Sequence, residues 1–206
     1  MREPVHPDRM LATAPSLETR ERRSGSATIK EPGSTAGSRS RWEGELRQIL
    51  GDERTRLHVV GIGNTLRSDD SVGVQIVSRL VRTIGENPRR NVSIHPPATT
   101  PERELSRVDC GKERVLIFDS VEAGGRPGSV TLANLGDSKF GYFATHNVPV
   151  RVIPALAANL SNVYVVGIEP KRLDVGEELS GAVRASARSV AAVVESALGG
   201  ESGGCP

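Results

Sequence analysis

Cysteine is nearly missing from this chain of 206 residues, which contains only Cys110 and Cys205. Their spacing fits neither a zinc site nor a disulfide framework, and such sparse use is typical of a reducing cytoplasm. The chain also lacks an excess of one charge, since 27 basic residues face 25 acidic ones and the formal net charge is +2. A balance so near neutrality gives no electrostatic case for a nucleic-acid or anionic-membrane partner.

Long apolar runs are missing as well. No stretch approaches the roughly 20 residues that a membrane-spanning helix needs, and the first residues contain no apolar core of a secretory signal. We therefore expect a cytoplasmic protein that has no membrane partner.

Apolar side chains are scarce mainly near the start of the chain, although only 36% of all residues are hydrophobic. Residues 1–41 combine mixed charge with turn formers, which predicts a disordered N-terminal arm. Residues 42–200 are rich in Val, Leu, Ile and Ala and predict one folded domain. Residues 201–206 are interpreted as a flexible C-terminal tail.

Within the domain, short apolar runs alternate with segments whose apolar residues recur at helical spacing. The predicted strands cover residues 57–62, 91–95, 114–119, 129–133 and 162–168. The predicted helices cover residues 42–50, 72–84, 101–108, 149–160 and 179–198. Gly85 provides a stop signal for the second helix. This alternation predicts an α/β fold, a three-layer α/β/α sandwich around a twisted, mostly parallel sheet.

Three separate stretches place a metal-capable side chain where an apolar run ends. They are Gly61–Asp70, Leu116–Ser120 and Ala144–Pro149, and two of them end predicted strands. Because chemistry in an open α/β sheet gathers at the strand ends, we expect these side chains to converge. Two carboxylates and one imidazole would form an open metal site suited to first-row ions.

The first stretch permits several interpretations. Gly61-Ile62-Gly63-Asn64 resembles a phosphate loop, but it lacks the third glycine of the dinucleotide motif and the lysine of a P-loop. The glycines also suit a tight strand-to-helix turn. Asp69 and Asp70 fit the N-terminus of the next helix as capping carboxylates, or a cation that relieves their mutual repulsion.

Asp119 follows the apolar run Val115–Phe118, so its carboxyl group needs a partner if the run is buried. That partner is either a metal ion or the backbone amides of a turn. His146 stands alone in sequence and gains meaning only if it shares a site with the acids; His95 is the only other plausible ligand. Ser120 neighbours Asp119 but has no obvious activating base.

Taken together, these stretches resemble the nickel-iron hydrogenase maturation endopeptidases. The matching motifs occur in the family's order over roughly residues 57–198. They are Gly63-Asn64-Thr65-Leu66-Arg67-Ser68-Asp69-Asp70, Asp119, Pro127-Gly128-Ser129, Thr145-His146-Asn147-Val148-Pro149 and Val166-Gly167-Ile168-Glu169-Pro170.

The resemblance implies a function and its residues. The family's three metal-contacting and catalytic positions fall on Asp70, Asp119 and His146. The implied activity is an aspartyl-type endopeptidase cut that removes the C-terminal extension of a hydrogenase large-subunit precursor. The nickel that serves as recognition element is carried by that precursor, which is the expected partner of a monomeric enzyme.

One segment departs from the family pattern. After the second strand the family carries an acidic residue and paired glycines, whereas this chain has His95-Pro96-Pro97. Proline cannot adopt the positive φ of glycine, so the loop must differ in shape. This departure keeps open the hypothesis of a precursor chaperone that does not cut. The turn at Gly61-Ile62-Gly63 separately keeps open a small-ligand or nucleotide-binding module.

Overall fold

The computed structural model describes residues 40–97, 105–137 and 159–199, all within one compact unit of residues 39–206. Its five strands are β1 (Leu57–Gly61), β2 (Val92–Ile94), β3 (Arg114–Ser120), β4 (Val130–Asn134) and β5 (Val163–Ile168). They form one sheet in the order β2-β1-β3-β5-β4. Only β4 runs antiparallel to its neighbour, so the predicted α/β class with a mostly parallel sheet is confirmed.

Three α-helices lie within the described residues: α1 (Arg41–Gly51), α2 (Val72–Ile84) and α3 (Gly181–Leu198). Gly85 ends α2 with a φ of 78°, a left-handed conformation that glycine adopts without steric cost. Two short 3-10 helices, Ser68–Ser71 and Leu160–Asn162, connect strands to the elements beside them.

The sheet has two different buried faces, as strand alternation requires. On one face, side chains of β1, β2, β3 and β5 pack against α1, α2 and α3, with Phe118 fully buried among them. On the other face, Val60, Ile117 and Val165 pack against Leu105 and Val108. This two-sided burial explains why β3 is a continuous apolar run instead of an alternating one.

Some predicted elements differ from the structure or lie outside the described residues. The third predicted helix is described only from residue 105, and the fourth lies outside the described residues up to residue 158. Leu160, assigned to that fourth helix, instead begins a 3-10 helix. The segment Ser68–Ser71 also forms a separate 3-10 helix ahead of α2. In this helix Asp69 is buried, whereas Asp70 is only partly buried.

Candidate functional site

Polar side chains gather where the central parallel strands end. β3 finishes at Asp119 and Ser120, which pair with Gly167 and Ile168 of β5. β1 finishes beside them, since Gly61 pairs with Phe118. The loop after β1 carries the 3-10 helix that contains Asp70, so the first two predicted stretches meet at one end of the sheet.

Asp119 has a buried carboxyl group whose loss of hydration is offset by only one hydrogen bond within the described residues. It is 3% exposed, and its Oδ1 accepts one hydrogen bond, from the Ser120 amide at 2.8 Å. Its Oδ2 is buried and has no hydrogen-bond partner among the described residues. Burial, with a contribution from the charge of Asp70, raises the pKa of Asp119 to about 8, against the lowering effect of the Ser120 amide. A buried carboxyl group that ionises near neutrality is able to exchange a proton.

Asp70 lies beside it and is only partly buried. Its Oδ1 accepts a hydrogen bond from the Ser120 hydroxyl at 3.0 Å, and its Oδ2 accepts one from the Asn64 amide at 3.2 Å. Ser120 therefore contacts both carboxyl groups, one through its amide and the other through its hydroxyl. We call Asp70 and Asp119 the acid pair.

Asp69 has a different environment although it precedes Asp70 directly. It is fully buried and accepts hydrogen bonds from the amides of Lys171, Arg172 and Ser180, at 2.9, 3.1 and 2.6 Å. Burial opposes its ionisation, but these hydrogen bonds outweigh it, and the pKa of Asp69 is lowered. Asp69 thus binds a distant loop and does not cap α2, whose N-cap is Ser71 without a side-chain hydrogen bond.

Gly63 of the first stretch and Gly73 in the first turn of α2 allow close backbone packing. Gly63 has a φ of 140°, and a Cβ there would meet the carbonyl oxygen of Asp70 at 1.8 Å. A Cβ on Gly73 would meet the carbonyl oxygens of Phe118 and Ile62 at 2.0 and 2.4 Å. These glycines let the 3-10 helix and α2 approach β1 and β3, in agreement with the tight-turn interpretation.

The segment after β5, residues 169–180, packs against Arg67, Ser68 and Asp69, which directly precede Asp70. Ser68, which has a φ of 31° and is the only non-glycine with positive φ among the described residues, donates its amide to Gly176. Arg67 donates its Nε to the Leu173 carbonyl oxygen at 3.0 Å. Strained backbone of this kind persists where surrounding contacts fix it, and it occurs often at functional sites.

Two residues near the acid pair, Ser120 and Glu169, have contacts that the sequence analysis did not predict. Ser120 has no activating base nearby in sequence, but the fold brings Asp70 to its hydroxyl. Glu169 accepts hydrogen bonds from the amides of Ala123 and Gly125, at 2.8 and 3.1 Å, and so fixes the loop that follows β3. Its place in a strand-end motif was the available signal.

The predicted histidine ligand, His146, lies outside the described residues. Within residues 40–97, 105–137 and 159–199, no three histidine, cysteine or acidic side chains are close enough together to hold a metal ion. His95, the other candidate, instead has its Nε2 2.9 Å from Nδ1 of His58. Burial, assisted by the nearby charges of His95 and Arg56 and opposed by Glu113, lowers the pKa of His58.

Comparison with known proteins gives one relative in sequence and several in fold, while no family model matches the chain. A protein of Methanocaldococcus jannaschii, provisionally named a hydrogenase maturation protease, is 29% identical over 129 residues, which cover 58% of this chain and 75% of the relative. The NiFe hydrogenase maturation protease HycI of Thermococcus kodakarensis superimposes with a TM-score of 0.58 at 22% identity, covering 75% of this chain and 99% of its own. The hydrogenase maturating endopeptidase HybD of Escherichia coli gives a TM-score of 0.55 at 21% identity, covering 70% and 92%.

The protein is an α/β domain whose candidate site contains the acid pair at the ends of the central strands. Sequence and fold together confirm its resemblance to the hydrogenase maturation proteases. The solved structures share the fold with this chain, and the sequence relative shows likeness over 129 residues.

Proposed function

We propose that this protein is an endopeptidase that removes the C-terminal extension of a NiFe hydrogenase large-subunit precursor after nickel insertion. Asp70, Asp119 and His146 engage the nickel that the precursor carries and place the scissile peptide next to Asp119. The same proposal includes aspartyl-type chemistry and a cytoplasmic location. No helix within the described residues is long and apolar enough to cross a membrane.

The acid pair is the observation that carries the proposal. Two carboxyl groups contact one serine at a strand end, in a chain related in sequence and fold to maturation proteases. Within the described residues, one buried oxygen of Asp119 is left without a hydrogen bond. An uncompensated buried oxygen is costly for folding alone, so its presence favours a chemical role.

The environment of Asp119 suits a group that exchanges a proton during peptide hydrolysis. With a pKa of about 8, its carboxyl group is mostly protonated at pH 7 in the protein alone. A cation brought by the precursor would favour the ionised form, since an opposite charge nearby stabilises it. The bound ion would polarise the peptide carbonyl or a water molecule, while Asp119 accepts and returns a proton.

A polypeptide substrate reaches this acid pair across a rim that is apolar. Leu66 and Val175 are the exposed large hydrophobic side chains of the described residues, 63% and 87% exposed. Arg67 and Gly176 form a parallel bridge between two adjoining segments. This bridge makes the preceding residues of the two segments, Leu66 and Val175, neighbours. Exposed apolar groups beside a candidate site are suited to contact the precursor around the cut.

The test is incubation of the purified protein with its large-subunit precursor, prepared with and without nickel and followed by intact-mass analysis. We expect the nickel-loaded precursor to lose one C-terminal fragment and the nickel-free precursor to stay whole. Stable binding without any loss of mass would overturn the protease assignment and favour the chaperone. Equal cutting of both preparations would overturn the role of nickel in recognition.

A further inference from the structure

We propose that Ser120 is a positioning residue of this site: it holds Asp70 through its hydroxyl group and Asp119 through its amide, and so fixes the two carboxyl groups for the reaction. The inference rests on the proposed function for its catalytic consequence. The contacts on which it depends are independent of that function.

The position of Ser120 in the sheet makes both contacts available. It is the last residue of β3, where strand alternation directs its side chain to the face that carries Phe118 and α2. The 3-10 helix that precedes α2 brings Asp70 to that face, and Oγ of Ser120 lies 3.0 Å from Oδ1 of Asp70. Its amide meanwhile reaches Oδ1 of Asp119 at 2.8 Å.

Few other groups restrain these carboxyl groups. Within the described residues, the Ser120 hydroxyl is the one side-chain donor to Asp70, whose other contact is the Asn64 amide at 3.2 Å. The Ser120 amide is the one donor to Asp119. Ser120 is only 9% exposed, so water competes poorly for its hydroxyl group.

The hydroxyl contact can be removed without removing the amide contact. Ser120→Ala keeps the bond to Asp119 and releases Oδ1 of Asp70, whereas Ser120→Thr keeps both. Ser93→Ala is the matched control, because Ser93 is also a strand serine with 9% exposure. Its hydroxyl accepts from Arg56 and donates to Asn87 instead of either acid.

The first experiment measures cutting of the nickel-loaded precursor by wild type and the three variants. We expect Ser120→Ala to lower kcat about tenfold, as for loss of one hydrogen bond to a charged group, with KM little changed. Ser120→Thr should recover most of the activity, and Ser93→Ala should match wild type. If Ser120→Ala cuts as fast as wild type, or falls no further than Ser93→Ala, the inference is wrong.

The second experiment keeps the contact testable even if the wild type cuts no precursor, which would refute the proposed function alone. Urea unfolding of wild type, Ser120→Ala, Asp70→Ala and the double variant forms a double-mutant cycle. We expect the two substitutions to be non-additive, with Ser120→Ala costing less once Asp70 is gone. Strict additivity would show that the hydroxyl does not hold Asp70.

Discussion

Asp69 and Asp119 are both buried aspartates at the same end of the sheet, yet their surroundings are opposite. Asp69 accepts hydrogen bonds from three backbone amides, and its pKa is lowered. Asp119 accepts one hydrogen bond, from the Ser120 amide, and within the described residues its Oδ2 has no partner. Its pKa is raised to about 8. Ionisation is stabilised at the first position and resisted at the second.

This difference separates a structural carboxylate from a reactive one. Asp69 ties the segment Lys171–Ser180 to the 3-10 helix and remains charged through the neutral pH range. Asp119 changes its charge near neutrality, where a bound cation or a proton transfer would shift its state. Asp70 stands between them, since its backbone follows Asp69 and its carboxylate shares Ser120 with Asp119.

The largest effect is expected from removing Asp70, the partly buried member of the acid pair. Asp70→Ala should lower kcat/KM on the nickel-loaded precursor by at least about 100-fold. Loss of a side chain that takes part in acid–base catalysis has an effect of this size. The precursor assay by intact mass measures this directly. Glu86→Gln, an exposed carboxylate outside the acid pair, is the control and should leave the rate unchanged. Equal rates for both variants would remove Asp70 from the site.

The next largest effect is expected on stability, from removing the buried carboxylate of Asp69. Asp69→Ala leaves three backbone amides without their acceptor, so the free energy of unfolding should fall by about 3 kcal/mol. Asp109→Ala removes an exposed carboxylate that accepts one amide, and it should cost less than about 1 kcal/mol. Urea unfolding compares the two. A loss for Asp69→Ala no larger than that for Asp109→Ala would contradict the anchoring role.

The third prediction follows from the raised pKa of Asp119. Between its ordinary value of 3.8 and about 8, the folded protein holds a proton that the unfolded chain has released. The free energy of unfolding should therefore fall as pH rises, by up to about 1.4 kcal/mol per pH unit. Asp119→Asn carries no such proton. In urea unfolding at pH 5, 6, 7 and 8, its advantage over wild type should grow with pH; a constant difference would show that Asp119 ionises normally.

The smallest effect is expected at the apolar rim. The double substitution Leu66→Ser and Val175→Ser should raise KM for the precursor about fivefold, in proportion to roughly 1 kcal/mol of lost apolar contact, with kcat unchanged. Leu66→Met with Val175→Ile keeps the apolar surface and should behave as wild type. An unchanged KM for the serine variant would place precursor docking elsewhere.

The sequence predicted the fold well because its strands are short apolar runs with clear ends. The run Val115–Phe118 is fully buried, and Asp119 follows it as expected. The turn at Gly85 and the helix before it also followed from local pattern alone. Such features depend on neighbouring residues and on periodicity, which a single sequence displays.

The roles of individual carboxylates were harder to predict, because their partners are far away in the chain. The amides that hold Asp69 lie 102 to 111 residues further on, so its local sequence indicated only a helix cap or a cation-binding group. The hydroxyl that contacts Asp70 is 50 residues away. Long-range contacts of this kind also turned Ser120 from an unremarkable neighbour of Asp119 into a candidate positioning residue. The metal and catalytic roles of Asp70, Asp119 and His146 remain predictions.

Asp119→Asn is the sharpest test of Asp119 as the proton-exchanging group, because it keeps the shape of the side chain and removes its exchangeable proton. The nickel-loaded precursor would be incubated with wild type and with this variant and then weighed by intact mass. We expect wild type to remove the C-terminal extension and the folded variant to leave the precursor whole. Cutting by Asp119→Asn at the wild-type rate would show that the reaction does not need a carboxyl group at this position.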